Sequence, residues 1–297
     1  MKTIAVLLTC YNRRTKTLAS LRALFCNTLP DGFQLKVVLV DDGSTDGTSD
    51  AVSEEFPLVD IHRGDGSLFW NRGMHMAHQI AIVSNPEFVL WLNDDTELEP
   101  NALINLLATY TQATISSGKI FIVVGATLDP RSNTLTYGGL RSRSRLRRFN
   151  YVRLPLSTST QECDAMNGNI VLIPRIVYQT MGAVDPAFEH AMGDIDYALR
   201  AREADFCILV APGFQGRCAA NSPKATFQDS TLPPRIRWKK FVDRKCLPPS
   251  SWLHFVKRHA RASWPLYFFY PYISFAARII RDDLSQVLNR LSNNDNI

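Results

Sequence analysis

The run FVLWL at residues 88–92 is apolar at every position and stops at Asn93, Asp94 and Asp95, with Glu97 and Glu99 close behind. A strand with no polar face must be covered on both sides, as in a parallel sheet between two layers of helices. Two further runs share this character. IAVLL at 4–8 leads into Thr9, Cys10, Tyr11 and Asn12, and KVVLV at 36–40 leads into Asp41 and Asp42. Between those two, Leu18, Leu21, Leu24 and Phe25 recur at helical spacing. STDGTSDAVSEEF offers Ser, Thr and Asp caps before a short helix, and RGMHMAHQIAIV reads as another helix ahead of residue 88. This alternation predicts an α/β fold with a mostly parallel sheet flanked by helices. In open sheets of that kind ligands gather beyond the carboxyl ends of the strands, so the three polar strand ends are expected along one rim.

The alternation continues through NALINLLATY, a helix, IFIVVGATLD, a strand, and MNGNIVLIPRIVYQTMG, a strand followed by a helix after Pro174. TLTYGGLRSRSRLRRF reads as a hairpin turning at Gly138 and Gly139, GDIDYALRARE as a helix and FCILVAPG as the last clear strand. The α/β domain is expected to span residues 1–222, with 223–297 forming a basic and aromatic C-terminal helical extension. Within that extension WPLYFFYPYISFAA, residues 264–277, carries no charge but holds Pro265 and Pro271. It falls short of the roughly twenty apolar residues that cross a bilayer. Flanked by Lys257, Arg258, Arg261, Arg278 and Arg281, it suits either a membrane interface or a helical pair packed on the domain.

Composition narrows the choices. The 297 residues are 45% hydrophobic and 21% charged, which excludes a disordered chain. Six cysteines without a C-x-x-C pair imply neither a zinc module nor a disulfide framework, and they are read as reduced thiols of a cytoplasmic protein. MKTIAVLLTC has too short an apolar stretch for a signal core and is read as a buried first strand. The net charge of +5 is unevenly placed. Arg141, Arg143, Arg145, Arg147 and Arg148 form one basic run, and a second lies between Lys224 and Arg261. Such patches suit phosphate-bearing partners or are solvated basic faces. No recognised module accompanies them, so nucleic acid is not expected as a partner.

Asp94 and Asp95 sit where Mg2+ or Mn2+ carrying substrate phosphates could be held, since such ions take oxygen ligands and often only one or two carboxylates. An acid cluster favoured by a helix N-terminus is the plain alternative. The two other polar strand ends on the same rim favour the ligand reading.

LLTCYNR (7–13), VLVDDGSTDGT (38–48), WLNDDTELEP (91–100), MNGNIVLIPRIVYQTMG (166–182) and GDIDYALRAR (193–202) follow one another in an order that resembles the family 2 glycosyltransferases. These are inverting enzymes of the GT-A fold, and the resemblance covers about residues 1–220. It implies a nucleotide-diphosphate sugar whose base and ribose meet Thr9, Tyr11, Asn12, Arg13, Asp41 and Asp42. The family's D-x-D falls on Asn93, Asp94 and Asp95, which makes Asp95 the ligand of a divalent metal, Mg2+ or Mn2+, and puts Asp94 near the donor. Asn167 and Gly168 join the substrate-binding set. GDIDYALRAR matches the family's catalytic segment with Gly193 in place of Glu, leaving Asp194 as the catalytic base and Asp196 as a supporting or acceptor-binding acid. A helix N-cap is the other reading of Asp194.

HRGDGSLFWNRGMHMA (62–77) resembles a rhamnosyltransferase-like subgroup of the family. There Gly64 and Gly66 permit a tight turn toward the donor, Trp70 either stacks on it or belongs to the core, and Arg72 meets the diphosphate. Many GT-A enzymes supply a late His to the metal; APGFQGRCAANS has none and offers Cys218 or Asn221 instead. His75 and His78, at helical spacing, are expected to pack rather than ligate.

The resemblance implies transfer from a dTDP- or UDP-sugar, dTDP-rhamnose among them, to a hydroxyl of a glycan or lipid-linked acceptor in surface polysaccharide synthesis. The protein would be cytoplasmic, with peripheral contact at the inner face of the cell membrane. Competing readings are a non-catalytic nucleotide-sugar or polyanion-binding protein of the same fold, and a nucleotidyltransferase. The latter's Gly-rich loop is missing from TCYNRR.

Overall fold

The computed structural model describes residues 1–144 and 149–294, with the side chains of 285–294 excepted. Arg145, Arg147 and Arg148 of the basic run lie outside the described residues. The chain divides into two units, Met1–Ala220 and Asn221–Ile297.

The first unit opens with β1 (Lys2–Cys10), α1 (Arg14–Phe25), β2 (Phe33–Asp41), α2 (Thr48–Glu55), β3 (Asp60–Arg63), α3 (Phe69–Ala81) and β4 (Phe88–Leu92). It continues with β5 (Glu97–Leu98), α4 (Ala102–Ser117), β6 (Phe121–Val124), β7 (Thr127–Leu128), β8 (Leu135–Tyr137), β9 (Gly139–Ser142), β10 (Tyr151–Arg153), β11 (Gln161–Glu162) and β12 (Ala165–Met166). It closes with β13 (Ile170–Pro174), α5 (Arg175–Met181), α6 (Gly193–Glu203), β14 (Cys207–Val210) and β15 (Gly216–Arg217).

Among the described residues an eight-stranded sheet runs in the order β11-β14-β6-β13-β4-β1-β2-β3. The strands β4, β1, β2 and β3 are mutually parallel, and β14 is parallel to β6. Burial on both faces follows from the sequence of β1. Ile4, Val6 and Leu8 enter one core with Leu18, Leu21 and Leu24 of α1, while Ala5 and Leu7 enter the other with Met74 and Ala77 of α3. Phe25 is the exception in the α1 pattern; it is exposed and stacks on Phe56, centroids 5.2 Å apart.

Two features depart from expectation. Strand β13 is antiparallel to both β4 and β6, so its beginning, not its end, reaches the rim where β4 ends. The proposed hairpin at Gly138 and Gly139 does not form. β8 pairs with β7 in one small sheet and β9 with β10 and β12 in another, so Gly138, at φ +155°, is where the chain passes between sheets.

The second unit holds α7 (Pro234–Phe241), α8 (Pro249–His259) and α9 (Trp264–Asn294). The Phe241 and Phe275 rings stack at 4.2 Å with Ile279 beside them, and the nearly buried Arg237 pairs with Asp282 at 2.9 Å. Among the described residues no helix is long and apolar enough to cross a membrane, and all six cysteines are free thiols.

Helix α3 lies so close to β1 that a Cβ at Gly73 would overlap the Thr9 side chain. Gly73→Ala should therefore lower stability by about 1–3 kcal/mol in urea titration, the cost typical of overpacking, despite Ala's better helix propensity.

Candidate active site

The first two rim loops hold each other. Asn12 donates its backbone N–H to Ser44 Oγ at 2.8 Å, and its Oδ1 accepts from the Thr45 N–H at 2.8 Å. Asp41 accepts from the Ser44 N–H at 2.8 Å and from the Ser49 hydroxyl. Asp42 accepts from the N–H groups of Gly66 (2.9 Å), Leu68 (3.2 Å) and Phe69 (2.8 Å), the residues that lead into α3. Both aspartates are 2% exposed, so their carboxylates organise the loops from beneath. Thr9 is likewise packed under α3, whereas Tyr11 is exposed on the rim.

Arg13, just before α1, reaches the end of β4. Its Nη1 lies 3.1 Å from Asp94 Oδ1 and 3.0 Å from Asp95 Oδ2. Lys16, in the first turn of α1, stands 3.5 Å from the same Asp95 oxygen. Burial pushes the Asp94 carboxyl up to about 7, against the pull of Arg13 and with the help of Asp95. Lys16 was not among the sequence candidates; its i,i+3 spacing from Arg13 on a helix start was the signal available.

On the other side of the Asp pair, Trp70 in the first turn of α3 donates its indole N–H to Asn93 Oδ1 at 2.7 Å. Its ring covers the α-carbon of Gly168 and meets Trp91 edge-on at 6.1 Å. The antiparallel course of β13 puts the Asn169 carbonyl 3.0 Å from the Asn93 N–H, and so brings Gly168 to this point. Gly168 in turn donates its N–H to Asp194 Oδ2 at 3.1 Å, and the other Asp194 oxygen accepts the Ile195 N–H at 2.9 Å. Asn93, Trp70, Gly168 and Asp194 thus form a continuous chain of contacts. Burial pushes the Asp194 carboxyl up to about 6, with the two backbone N–H groups opposing.

Three candidates lie elsewhere. Asp196 is fully buried and pairs with Arg200 at 2.8 Å, so it braces α6 and does not face the crevice. Arg72 donates to the Pro186 carbonyl at 3.1 Å and stands 3.9 Å from Glu189, which ties α3 to the loop before α6. Asn167 exchanges contacts with the Gly138 backbone at 3.0 and 3.4 Å. The absent Glu at 193 also has a physical reason. A Cβ at Gly193 would overlap Asn71 Oδ1, whose amide is anchored through its nitrogen to the carbonyls of Asp185 (2.7 Å) and Phe188 (2.9 Å).

The donor set can be tested against a divalent cation. No group of three or more His, Cys, Asp or Glu able to hold a metal occurs among the described residues. Cys218 Sγ stands 3.6 Å from Asp95 Oδ1, but burial and the Asp95 charge push its thiol up to about 12, so it is protonated at neutral pH. Two carboxylates suffice for an ion that arrives on a diphosphate and keeps water in its shell, so the residues fit a cation brought by substrate.

A family profile described as "Glycosyltransferase like family 2" matches residues 2–263. The chain belongs to this family. Solved structures with the same fold include GalNAc-T7, crystallised with UDP, GalNAc and Mn2+ (TM-score 0.61, 16% identity over 96% of this chain and 58% of that one). TarS of S. aureus is another (TM-score 0.52, 17% identity, 88% of this chain and 44% of that one). This family 2 chain therefore spans about half the length of the proteins it resembles in structure. No curated protein matches it. The GT-A architecture of these neighbours agrees with the sheet described above, with helices on both faces.

The Asn71 and Gly193 contact predicts a coupled pair. Gly193→Ala alone should cost about 1–3 kcal/mol by overpacking. Combined with Asn71→Gly, it should cost less than the sum of the two single changes, as read from a double-mutant cycle in urea.

Proposed function

We propose that this chain transfers a sugar, with inversion, from a nucleoside-diphosphate donor to an acceptor hydroxyl, and that Asp194 is the base. The observation that carries this reading is the meeting, at one rim, of the pair Asp94 and Asp95, which Arg13 bridges, with the half-buried Asp194, joined through Asn93, Trp70 and Gly168. The acceptor oxygen attacks the anomeric carbon, the bond to the diphosphate breaks, and its electron pair leaves with the diphosphate. The hydroxyl proton passes to the Asp194 carboxylate. One displacement inverts the configuration and requires no covalent sugar-enzyme intermediate.

Arg13 and Lys16 supply positive charge where the diphosphate would gather, which stabilises the charge that develops on departure. A divalent cation held with the donor by Asp95 and Asp94 would stabilise that developing negative charge further. Trp70, whose N–H fixes Asn93, would border the donor in this reading. The donor in this reading is a dTDP- or UDP-sugar, a choice supported by the UDP of GalNAc-T7 and by the rhamnosyltransferase-like segment around Trp70. The acceptor is a glycan or lipid-linked saccharide of surface polysaccharide synthesis, handled at the inner face of the cell membrane.

Calorimetric titration of UDP, dTDP and GDP, each with and without Mn2+, should show one diphosphate binding more tightly with the ion, and Asp95→Asn should abolish that gain. No binding of any diphosphate would move the reading to a protein that keeps the fold without turnover.

The second test is the pH profile. A base with its pKa raised to about 6 is protonated below that value, so kcat/KM should fall about tenfold per unit below pH 6. Asp194→Asn should lower kcat by about 10^2–10^4 with little change in nucleotide affinity. The same group makes a stability prediction. Between its ordinary value near 3.8 and about 6 the folded chain binds the proton more strongly than the unfolded one, so this group's contribution to stability declines as pH rises through that window.

A further inference from the structure

We propose that the second unit carries a binding site for the phosphate of an anionic membrane lipid, built on one side of α9. The choice of partner rests on the membrane-face reading given above; the geometry belongs to the second unit alone.

Helix α9 is apolar on two opposite sides. Phe275 and Ile279 face inward, where Trp238 and Phe241 stack on Phe275. On the opposite side Leu266, Phe269, Tyr270, Ile273, Ile280 and Leu284 share one helical face, at spacings of three, four and seven residues, and are each between 55% and 75% exposed. A stripe at that spacing is what a surface helix ordinarily buries. Beside it lies a cleft of about 690 Å3, walled by Phe227, Phe241, Tyr270 and Phe275 and edged by Arg278 and Arg281. Tyr270 belongs to both stripe and cleft, so the cleft opens next to the stripe.

Charge selects the occupant. Residues 221–297 hold 13 Lys or Arg and 5 Asp or Glu, a net +8, whereas residues 1–220 hold 20 and 23, a net −3. A second copy packed stripe to stripe would bring +8 against +8. An anionic bilayer instead offers apolar depth to the stripe, a phosphate to the planar guanidinium groups and a negative surface to the whole unit. The aromatic residues suit the boundary between head groups and acyl chains.

The test uses the full chain in flotation with vesicles of phosphatidylcholine alone or mixed with phosphatidylglycerol. The wild type should float only with the mixed vesicles. Leu266→Ser/Ile273→Ser/Ile280→Ser should abolish flotation, and Arg278→Gln/Arg281→Gln should lower the partition about 30-fold, as two cations near an anionic surface imply. Equal flotation of wild type and both variants would overturn the proposal. So would complete competition by millimolar glycerol phosphate, which would make the cleft a site for free phosphate. Light scattering that shows a dimer, converted to monomer by the stripe substitutions, would assign the stripe to self-contact and overturn it too. Unaltered UDP binding by the variants shows that the first unit remains intact. Loss of UDP binding in the wild type itself, with flotation as expected, would remove the catalytic reading and leave the lipid site standing.

Discussion

A buried carboxylate taken up by three backbone N–H groups has little capacity left for a ligand, and Asp42 is in that position. Its bonds hold Gly66 at φ +87° and Phe69 at φ +55°, the second a conformation that a bulky residue seldom adopts without support. The turn they fix sends α3 back over β1, and the orientation of α3 determines where Trp70 and Asn71 point. Trp70 thereby reaches Asn93, while Asn71 reaches the space beside Gly193. The arrangement of the crevice therefore depends on an aspartate that lies beneath it.

Asp42 also shows why the sequence was legible at one level and opaque at the next. Strand and helix order followed from apolar runs and helical spacing, and the rim followed from where those runs stop. Direction did not follow. Apolar periodicity is the same for parallel and antiparallel strands, so the antiparallel β13, which carries Gly168 to Asn93, left no mark in its composition. Pairing partners were similarly hidden: Gly138 and Gly139 look like a turn because they break two strands, yet those strands belong to different sheets. Among the site residues, Arg13, Asp94, Asp95, Gly168 and Asp194 come together at the rim, while Asp196 and Arg72 meet partners from other segments that no local pattern announces. A motif fixes the type of residue at a position, and only the packing around it decides which way the side chain faces.

The rim also shows how a cluster of like charges is tolerated. Asp94 and Asp95 are adjacent and largely removed from water, a combination that raises a carboxyl's pKa, as it does for Asp94. Arg13 touches both and Lys16 touches one, so two cations face two acids. A ligand that brings its own negative charge can take over these cations only as something positive takes their place on the carboxylates. That exchange suits a diphosphate carrying a divalent ion, the donor chemistry proposed above.

Two departures from the family pattern, Asn93 for an acid and Gly193 for Glu, act in the same direction. Each removes a carboxylate from a crevice where Asp194 is already raised to about 6 by burial. A Glu directly before Asp194 would place a second anion against it, and like charges at such range raise a carboxyl further. A base in the proposed reaction must be ionised before it can accept the acceptor's proton. With neutral residues at 93 and 193, Asp194 keeps a pKa below neutrality while remaining far more basic than an exposed aspartate. The substitutions that weaken the resemblance thus leave Asp194 without a further carboxylate at 193 or 93, which suits the proton transfer proposed above.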